Sequence, residues 1–448
     1  MPKTGEEARA RPLGAPGGIR PSGAAPPPMR GIVALLGPAF VAAIAYVDPG
    51  NVAANLTAGA RYGDLLLWVL VLANAIAVLV QYSSAKLGLV TGLSLSEYLG
   101  GRLPTWPRRL YWLQAELVAA ATDVAEVLGG AIALHLLFGL PLWLGGLIVG
   151  VVAIALLAVQ SRNGQRAFEF VIIGLLGVVV VGFVFGLVVS GFDAGEALGG
   201  LVPRFDGTDS VLLATSMLGA TVMPHAIYLH SALARDRHLG SALARDRHLG
   251  SALARDRHGA GVDDSRLRRL LRATKADVLA ALVVAGAVNI AMLLLASTAL
   301  RGVAGTDTIE GAHAAIEAAL GPVVAAAFAI GLLASGLASS SVGTYAGQSI
   351  IGGLLRVRIP VIVRRIITLV PALVVLAVGV DPTWALVLSQ VVLSFGIPFA
   401  LVPLVHATGS ARVMGRWANP VWLRALGWVA VAVITVLNAV LIVFVATG

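Results

Sequence analysis

The sequence predicts an all-helical membrane protein of about eleven transmembrane helices, two of which are broken near the middle of the bilayer. Its 448 residues are 58% hydrophobic and only 12% charged, and the mean hydropathy is +0.89. This composition excludes an ordinary soluble globule. Apolar runs long enough to cross a bilayer recur along the whole chain, and two of them contain a proline beside polar or small residues.

The first apolar run, from about residue 31 to 56, contains Asp48-Pro49-Gly50-Asn51. A carboxylate at the centre of a membrane helix costs about 2.5–3.5 kcal/mol. Pro49 removes a backbone donor and disfavours the α conformation at Asp48, and Gly50 adds backbone freedom. We therefore expect the helix to break here, so that Asp48, Asn51 and freed carbonyls form an oxygen-rich cation site. The alternative is a proline kink with a neutral Asp48 packed against a neighbouring helix.

Ten further apolar runs follow the first one and set the predicted topology. They lie near residues 64–90, 110–138, 142–160, 168–191, 208–233, 272–300, 312–345, 361–380, 382–408 and 421–446. Basic residues occupy every second loop, whereas Asp193, Asp307 and Asp381 lie in the loops between. By the positive-inside rule the N-terminus is cytoplasmic, so the net charge of +9 reports topology and not nucleic-acid binding. The basic loop residues are Arg102, Arg108, Arg109, Arg162, Arg166, the arginines of 235–272, Arg356, Arg358, Arg364, Arg365, Arg412, Arg416 and Arg424.

The sixth run contains a second predicted break, because Gly219 and Pro224 bracket a short segment. Broken helices at corresponding positions of two halves indicate a transporter built on an inverted repeat. Five helices per repeat is an odd number, so the second copy inserts upside down. A single transporter domain over 30–446 would comprise repeats at 30–191 and 208–408 and a peripheral helix at 421–446. Residues 1–29, rich in Pro, Gly, Ala and Arg, are predicted to be a disordered cytoplasmic tail.

Met223, directly before Pro224, adds a soft sulfur to the predicted site. Asp48, Asn51, a freed carbonyl near Ala220 and the Met223 thioether would form a mixed oxygen–sulfur shell. Soft ligands favour transition metals, so this shell fits Mn²⁺ or Fe²⁺ and penalises Ca²⁺. The alternative is that Met223 only fills the core.

Three motifs resemble those of the Nramp family, the natural resistance-associated macrophage proteins. They are Asp48-Pro49-Gly50-Asn51, Met223-Pro224-His225 and the stretch from Gly343 to Gln348. The resemblance covers the chain from about Met29 to its end. It implies a LeuT-type fold, proton-driven uptake of manganese and ferrous iron, and a bacterial plasma (inner) membrane location. It also implies metal binding by Asp48, Asn51, the Ala220 carbonyl and Met223, and it adds Gln390, which is similar to a family residue that approaches the metal.

The third run carries three acids, Glu116, Asp123 and Glu126, on one helix face, as spacings of seven and three residues require. Chains of acids in a membrane mark proton relays, although structural pairing with arginines is the alternative. Arg364 and Arg365 are candidate partners, and the resemblance supports a proton network of these residues. Two histidines, which titrate near neutral pH, are further candidates for proton coupling. These are His225 and, more weakly, His230.

A decapeptide repeat interrupts the resemblance, because the segment 231–238 recurs at 241–248 and 251–258. We interpret residues 231–271 as a duplicated cytoplasmic loop without a function of its own. The chain has no cysteine, no covalent chemistry is indicated, and we expect neither an enzyme nor a resident cofactor. The expected partners are divalent metal ions, protons and the lipid bilayer. The alternatives are a metal-selective channel, a metal-binding receptor and an amino-acid transporter of the same fold.

Overall fold

The computed structural model describes residues 37–163, 165–246, 264–357 and 359–447, and these ranges contain helices but no β-strand. The predicted tail at 1–29 and most of the repeated loop beyond Asp246 lie outside them. Eight stretches of the described chain are long and apolar enough to cross a membrane, and two shorter apolar helices cover Pro38–Val47 and Leu142–Leu156. The protein is therefore an integral membrane protein, and the total of eleven spans stays a prediction.

The helices follow the predicted apolar runs. In chain order they are α1 (Pro38–Ala43), α2 (Pro49–Tyr62), α3 (Leu67–Thr91), α4 (Leu95–Arg102), α5 (Thr105–Phe138), α6 (Leu142–Asn163), α7 (Gln165–Ser190), α8 (Ala194–Gly199), α9 (Gly207–Thr221), α10 (Pro224–Asp246), α11 (Asp264–Ala299), α12 (Ile309–Leu320), α13 (Pro322–Leu354), α14 (Val361–Val378), α15 (Pro382–Gly409), α16 (Ala411–Met414) and α17 (Val421–Thr447). Short 3₁₀ turns cover Ile44–Val47, Gly63–Leu66 and Gly415–Trp417.

The eighth predicted run, 312–345, was wrong in its bounds. Helix α12 ends before Gly321, which has a φ of +90°, and Pro322 starts α13 as its first residue. Proline is favoured at the first helical position and glycine just past a helix end, so this Gly-Pro pair separates the two helices. Helix α13 then continues to Leu354, beyond the predicted end. Helix α10 likewise continues past residue 233 into the repeated segment, as far as Asp246.

The two predicted breaks are enclosed by long helices. Helix α13 packs along α5 and α7, α2 packs against α11, and α15 packs between α9 and α5. Small residues allow these close approaches, as is usual between membrane helices. At Gly59 of α2, for example, a methyl group would overlap the backbone carbonyl of Leu293 in α11. As a result, every residue from Val41 to Ala60 is buried.

Charged residues meet at the two ends of the bundle in the groups that the topology predicts. At one end Arg61 lies 2.9 Å from Asp307 and 3.9 Å from Asp209, two acids of predicted external loops. At the other end Arg235 of α10 lies 2.6 Å from Glu97 of α4, in predicted cytoplasmic segments. The first contact ties α2 to the starts of α9 and α12, and the second ties α10 to α4.

Arg364 and Arg365 were assigned to a basic loop, and this assignment is wrong. Both lie inside α14, at 2% and 0% exposure. Their charges are neutralised by buried carboxylates, as described below, so they carry no information on topology.

Candidate metal site

The first break is located at Asp48, as predicted. Helix α1 passes into a 3₁₀ turn that ends at Val47, and α2 starts at Pro49. Asp48 has an extended backbone with ψ of 167° and caps α2, because its Oδ1 accepts a hydrogen bond of 2.8 Å from the Asn51 backbone N–H. Proline is tolerated at the first helical position since its missing N–H would be unpaired there in any case.

Two carbonyls freed by this break are paired by side chains of other helices. Asn289 of α11 donates its Nδ2 to the Tyr46 oxygen at 2.7 Å, and Ser335 of α13 donates its Oγ to the Val47 oxygen at 2.5 Å. Irregular backbone in a membrane requires such partners. These two carbonyls are therefore occupied by protein donors. The sequence analysis missed both donors. The signal that could have identified them is that each is a polar side chain within an apolar run.

The second break is located between α9, which ends at Thr221, and α10, which begins at Pro224. Val222 has a non-helical backbone with φ of −106° and ψ of 56°. Because Pro224 has no N–H, it cannot donate the usual helical bond to the carbonyl four residues earlier, which is that of Ala220. Ala220 and Met223 are both fully buried.

Asn51 joins the two breaks. Its Nδ2 donates to Asp48 Oδ1 at 2.8 Å and to the Ala220 carbonyl at 2.9 Å. Two acceptors from different helices thus converge on one donor group, while Asn51 Oδ1 has no hydrogen-bond partner within the described part of the chain. A group of oxygen acceptors facing one point is suited to bind a cation.

Gln390 of α15 reaches the same place from a third direction. Its Nε2 lies 3.4 Å from Asp48 Oδ2 and 3.1 Å from Ser389 Oγ, and its Oε1 lacks a partner among the described residues. The approach requires a glycine at position 50, because a methyl group there would overlap the Gln390 side chain. The structure therefore brings together four of the predicted metal ligands, and Met223 lies at the break three residues after Ala220.

This site is not a cluster of His, Cys, Asp and Glu side chains. The described residues contain no group of three such side chains that could hold a metal ion. The predicted ligands combine one carboxylate with amide, backbone carbonyl and thioether groups. The two helix breaks, and not a cluster of acids or histidines, indicate where these groups meet.

The predicted acids on α5 face the two arginines of α14. Arg364 lies 3.3 Å from Glu116 and 4.0 Å from Asp123, and Arg365 lies 3.3 Å from the other Asp123 oxygen. Glu126 has no cation within ion-pair distance in the described part of the chain, and its Oε2 has no hydrogen-bond partner there. Three buried or half-buried carboxylates thus accompany two guanidinium groups.

Two glycines of the third motif make room for this network. A methyl group at Gly343 of α13 would lie 3.0 and 3.1 Å from the Glu126 carboxylate oxygens and 3.4 Å from Asp123 Oδ1. At Gly347, one turn on, it would overlap the Arg364 guanidinium. The motif is visible in the sequence, but this role of its glycines could not be predicted. It depends on how closely α13 approaches α5 and α14.

The two candidate histidines lie in different surroundings. The His225 Nδ1 is 3.3 Å from the Thr122 hydroxyl on α5, next to Asp123 in sequence, and its Nε2 has no partner among the described residues. The His230 Nδ1 is 2.8 Å from Gln81 Oε1 on α3, and Gln81 in turn donates to the Tyr46 hydroxyl. His225 therefore borders the acid network, whereas His230 is linked through Gln81 to Tyr46, in the 3₁₀ turn before Asp48.

Comparison with known proteins agrees with this architecture. The chain is similar to the structure of MhsT in complex with L-phenylalanine, with a TM-score of 0.59 and 15% identity over 89% of this chain and 98% of that one. It is more similar to a crystal structure of a manganese transporter from Eremococcus coleocola, with a TM-score of 0.78 and 29% identity over 91% and 86% of the two chains. The fold and the paired breaks define a membrane transporter with the LeuT-type fold.

The family follows from the sequence. The model of the family described as "Natural resistance-associated macrophage protein-like" matches residues 39–444. A relative from Mycobacterium tuberculosis, named divalent metal cation transporter MntH, is 56% identical over 92% of this chain and 92% of its own length. This chain belongs to the Nramp family. Its relatives are transporters by name, in agreement with the prediction that it is not an enzyme.

Proposed function

We propose that this protein is a secondary active transporter that imports divalent transition metals, preferably Mn²⁺ and Fe²⁺, together with protons. The observation that carries the proposal is the convergence of Asp48 and the Ala220 carbonyl on the Asn51 side chain at the meeting point of two broken helices. The names of the relatives support the substrate class.

The metal would replace the amide hydrogens that now join the two acceptors. Asn51 carries its amide nitrogen towards Asp48 and Ala220 and leaves its oxygen without a protein partner. A half-turn of this amide exchanges the two atoms, and three oxygens then face one point. Without a cation this arrangement is repulsive, so the rotation and metal binding are coupled. Asp48, Asn51 and Ala220 supply hard ligands, Met223 supplies the soft one, and Gln390 offers a further amide oxygen.

The proton would use the acid network. Asp48 takes up a proton in the outward state, and this proton passes towards Asp123 and Glu126 when the metal binds. Support comes from the charge balance, since Arg364 and Arg365 can neutralise only two of the three carboxylates at Glu116, Asp123 and Glu126. The remaining negative charge makes a buried position where one proton is stabilised. His225 borders this path, and His230 is a weaker candidate for it.

Transport would proceed by alternating access, with rocking of the two broken helices between outward and inward states. Ion pairs at both ends of the bundle support this view, because Arg61–Asp307 and Arg235–Glu97 each join segments from different parts of the chain, and these segments would separate as the corresponding side opens. An amino-acid transporter is a less suitable reading, since Asp48 would repel a substrate carboxylate at the break. A channel or a metal-binding receptor differs from the proposal in transport behaviour.

The location and topology are also part of the proposal. We place the protein in the plasma membrane with a cytoplasmic N-terminus, in accord with the arginine-rich loops. The absence of cysteine from the sequence allows a direct test. A single cysteine in place of Asp307 should react with an impermeant maleimide added outside the cell. A single cysteine in place of Arg356 should react only after the membrane is permeabilised. Reaction in the reverse order would contradict the topology.

The function is tested by Mn²⁺ uptake into proteoliposomes that contain a pH-sensitive dye. We expect saturable Mn²⁺ uptake with simultaneous acidification of the lumen, whereas Asp48→Ala should abolish both uptake and Mn²⁺ binding because it removes the site's only carboxylate. Micromolar Mn²⁺ affinity in Asp48→Ala would refute the site. Uptake without acidification would refute proton coupling, non-saturable flux would indicate a channel, and binding without uptake a receptor.

A further inference from the structure

Asn438 on α17 makes two reciprocal hydrogen bonds with Ser394 on α15. The Ser394 hydroxyl donates to Asn438 Oδ1 at 2.9 Å, and Asn438 Nδ2 donates to the Ser394 backbone oxygen at 3.0 Å. Asn438 is 5% exposed although α17 otherwise presents many apolar side chains at the surface. A buried amide in a largely apolar helix is costly unless it is fully paired, so this pair has a structural purpose.

The Ser394 carbonyl needs an external donor because of Pro398. In a continuous helix this carbonyl would accept from the N–H of residue 398, and proline has none. The helix α15 nevertheless continues through Pro398 to Gly409. Asn438 therefore supplies the donor that the proline lacks, and it does so from a helix outside the predicted inverted repeat.

The turn from Gln390 to Ser394 lies between Asn438 and the metal site. Gln390 points its amide at Asp48. On the side of α9, a methyl group at Gly219 would overlap the Gln390 carbonyl and lie 2.9 Å from the Ser394 nitrogen. Gly219 directly precedes Ala220, whose carbonyl belongs to the site. A shift of this turn would therefore move Gln390 relative to Asp48 and change the contact with the second break.

We propose that Asn438 is a positioning residue, which holds the Ser394 turn so that the Gln390 amide faces the metal. This inference rests on the proposed function, since it requires Gln390 to face a bound metal. On this inference, the peripheral helix α17 contributes to metal binding through its contact with α15, without touching the ion itself.

The test uses Mn²⁺ binding to detergent-purified protein in a double-mutant cycle. Asn438→Leu removes both hydrogen bonds, and we expect it to weaken Mn²⁺ binding about tenfold, as is usual for residues that orient a ligand. In a Gln390→Ala background the same change should alter the dissociation constant by less than about twofold, because the residue it positions is absent. Thr435→Val on the exposed side of α17, where the hydroxyl donates to the Val431 carbonyl of the same helix, is the matched control and should have no effect.

A second arm tests the role of Pro398. Pro398→Ala restores a backbone donor for Ser394, so Asn438→Leu combined with Pro398→Ala should bind Mn²⁺ more tightly than Asn438→Leu alone. Asn438→Ala replaces the leucine variant if the larger side chain prevents folding.

The outcomes separate the inference from the proposed function. Loss of thermal stability with unchanged Mn²⁺ affinity in Asn438→Leu would show a purely structural role. An equal loss of affinity with and without Gln390 would also overturn the inference, as would an absence of rescue by Pro398→Ala. If Asp48→Ala retains Mn²⁺ affinity, it is the proposed site that fails.

Discussion

Replacement of Met223 tests whether the thioether selects the metal. Met223 is fully buried, so Met223→Ala leaves a cavity and should cost about 2–5 kcal/mol of stability, whereas Met223→Leu nearly conserves volume and should cost less than about 1.5 kcal/mol. Both variants remove the soft ligand and leave the oxygen ligands in place. We therefore expect Mn²⁺ uptake to fall moderately and discrimination against Ca²⁺ to weaken clearly in both.

A second methionine provides the matched control. Met217 lies on α9, is as fully buried as Met223 and belongs to the hydrophobic core. Met217→Ala should thus lose a similar amount of stability and keep the metal preference. The assay is competition of Ca²⁺ with Mn²⁺, in calorimetric binding and in proteoliposome uptake. If Ca²⁺ remains excluded in Met223→Leu, or if Met217→Ala changes the preference equally, the sulfur is not the selectivity element.

Two further changes address the acid network and the inner end of the bundle. In Gly347→Ala the added methyl group overlaps the Arg364 guanidinium, so the pH dependence of uptake should change. In the control Gly352→Ala, on the same helix, the methyl group meets no atom within 4 Å, and the pH dependence should stay the same. Equal effects of the two changes would refute the role of Gly347. Burial opposes ionisation of Glu97, but the hydrogen bonds and charge of Arg235 outweigh it and hold the pKa of Glu97 below its usual value. A lowered pKa stabilises the fold above the unfolded-state pKa, and this contribution is lost as the pH falls through the folded-state value. Below about pH 4.5, the loss of thermal stability should therefore be smaller in Glu97→Gln than in the parent, because the variant lacks this one contribution, and identical pH profiles would refute it.

Much of the fold could be predicted from residue chemistry alone. The breaks at Asp48 and before Pro224 follow from what proline does to a helix, and the acid face of α5 follows from helical periodicity. Arg364 and Arg365 were also predicted as candidate partners of these acids, although their assignment to a basic loop was wrong. An arginine close to a predicted helix end is ambiguous, because only tertiary packing decides whether it faces solvent or a buried carboxylate.

The partners of the freed carbonyls could not be predicted. Asn289 and Ser335 pair with the first break from helices more than 240 residues away in sequence, and no local pattern fixes which polar side chain reaches which carbonyl. The same is true of Gly343 and Gly347. Their spacing of one helical turn places them on one face, but the carboxylates and guanidinium that they accommodate come from two other helices.

One local rule nevertheless explains both Ala220 and Ser394. In each case a proline four residues later leaves a carbonyl without its helical donor, and in each case an asparagine from another helix supplies the missing N–H. The outcomes differ because of the backbone that follows. After Ala220 the chain leaves the helix at Val222, and in the proposed function a cation replaces the Asn51 amide hydrogens at this carbonyl. After Ser394 the helix continues, so this carbonyl lies within a continuous helix and pairs with Asn438 of α17. On this proposal, a proline creates a metal ligand where the helix also breaks, and a fixed contact between helices where it does not.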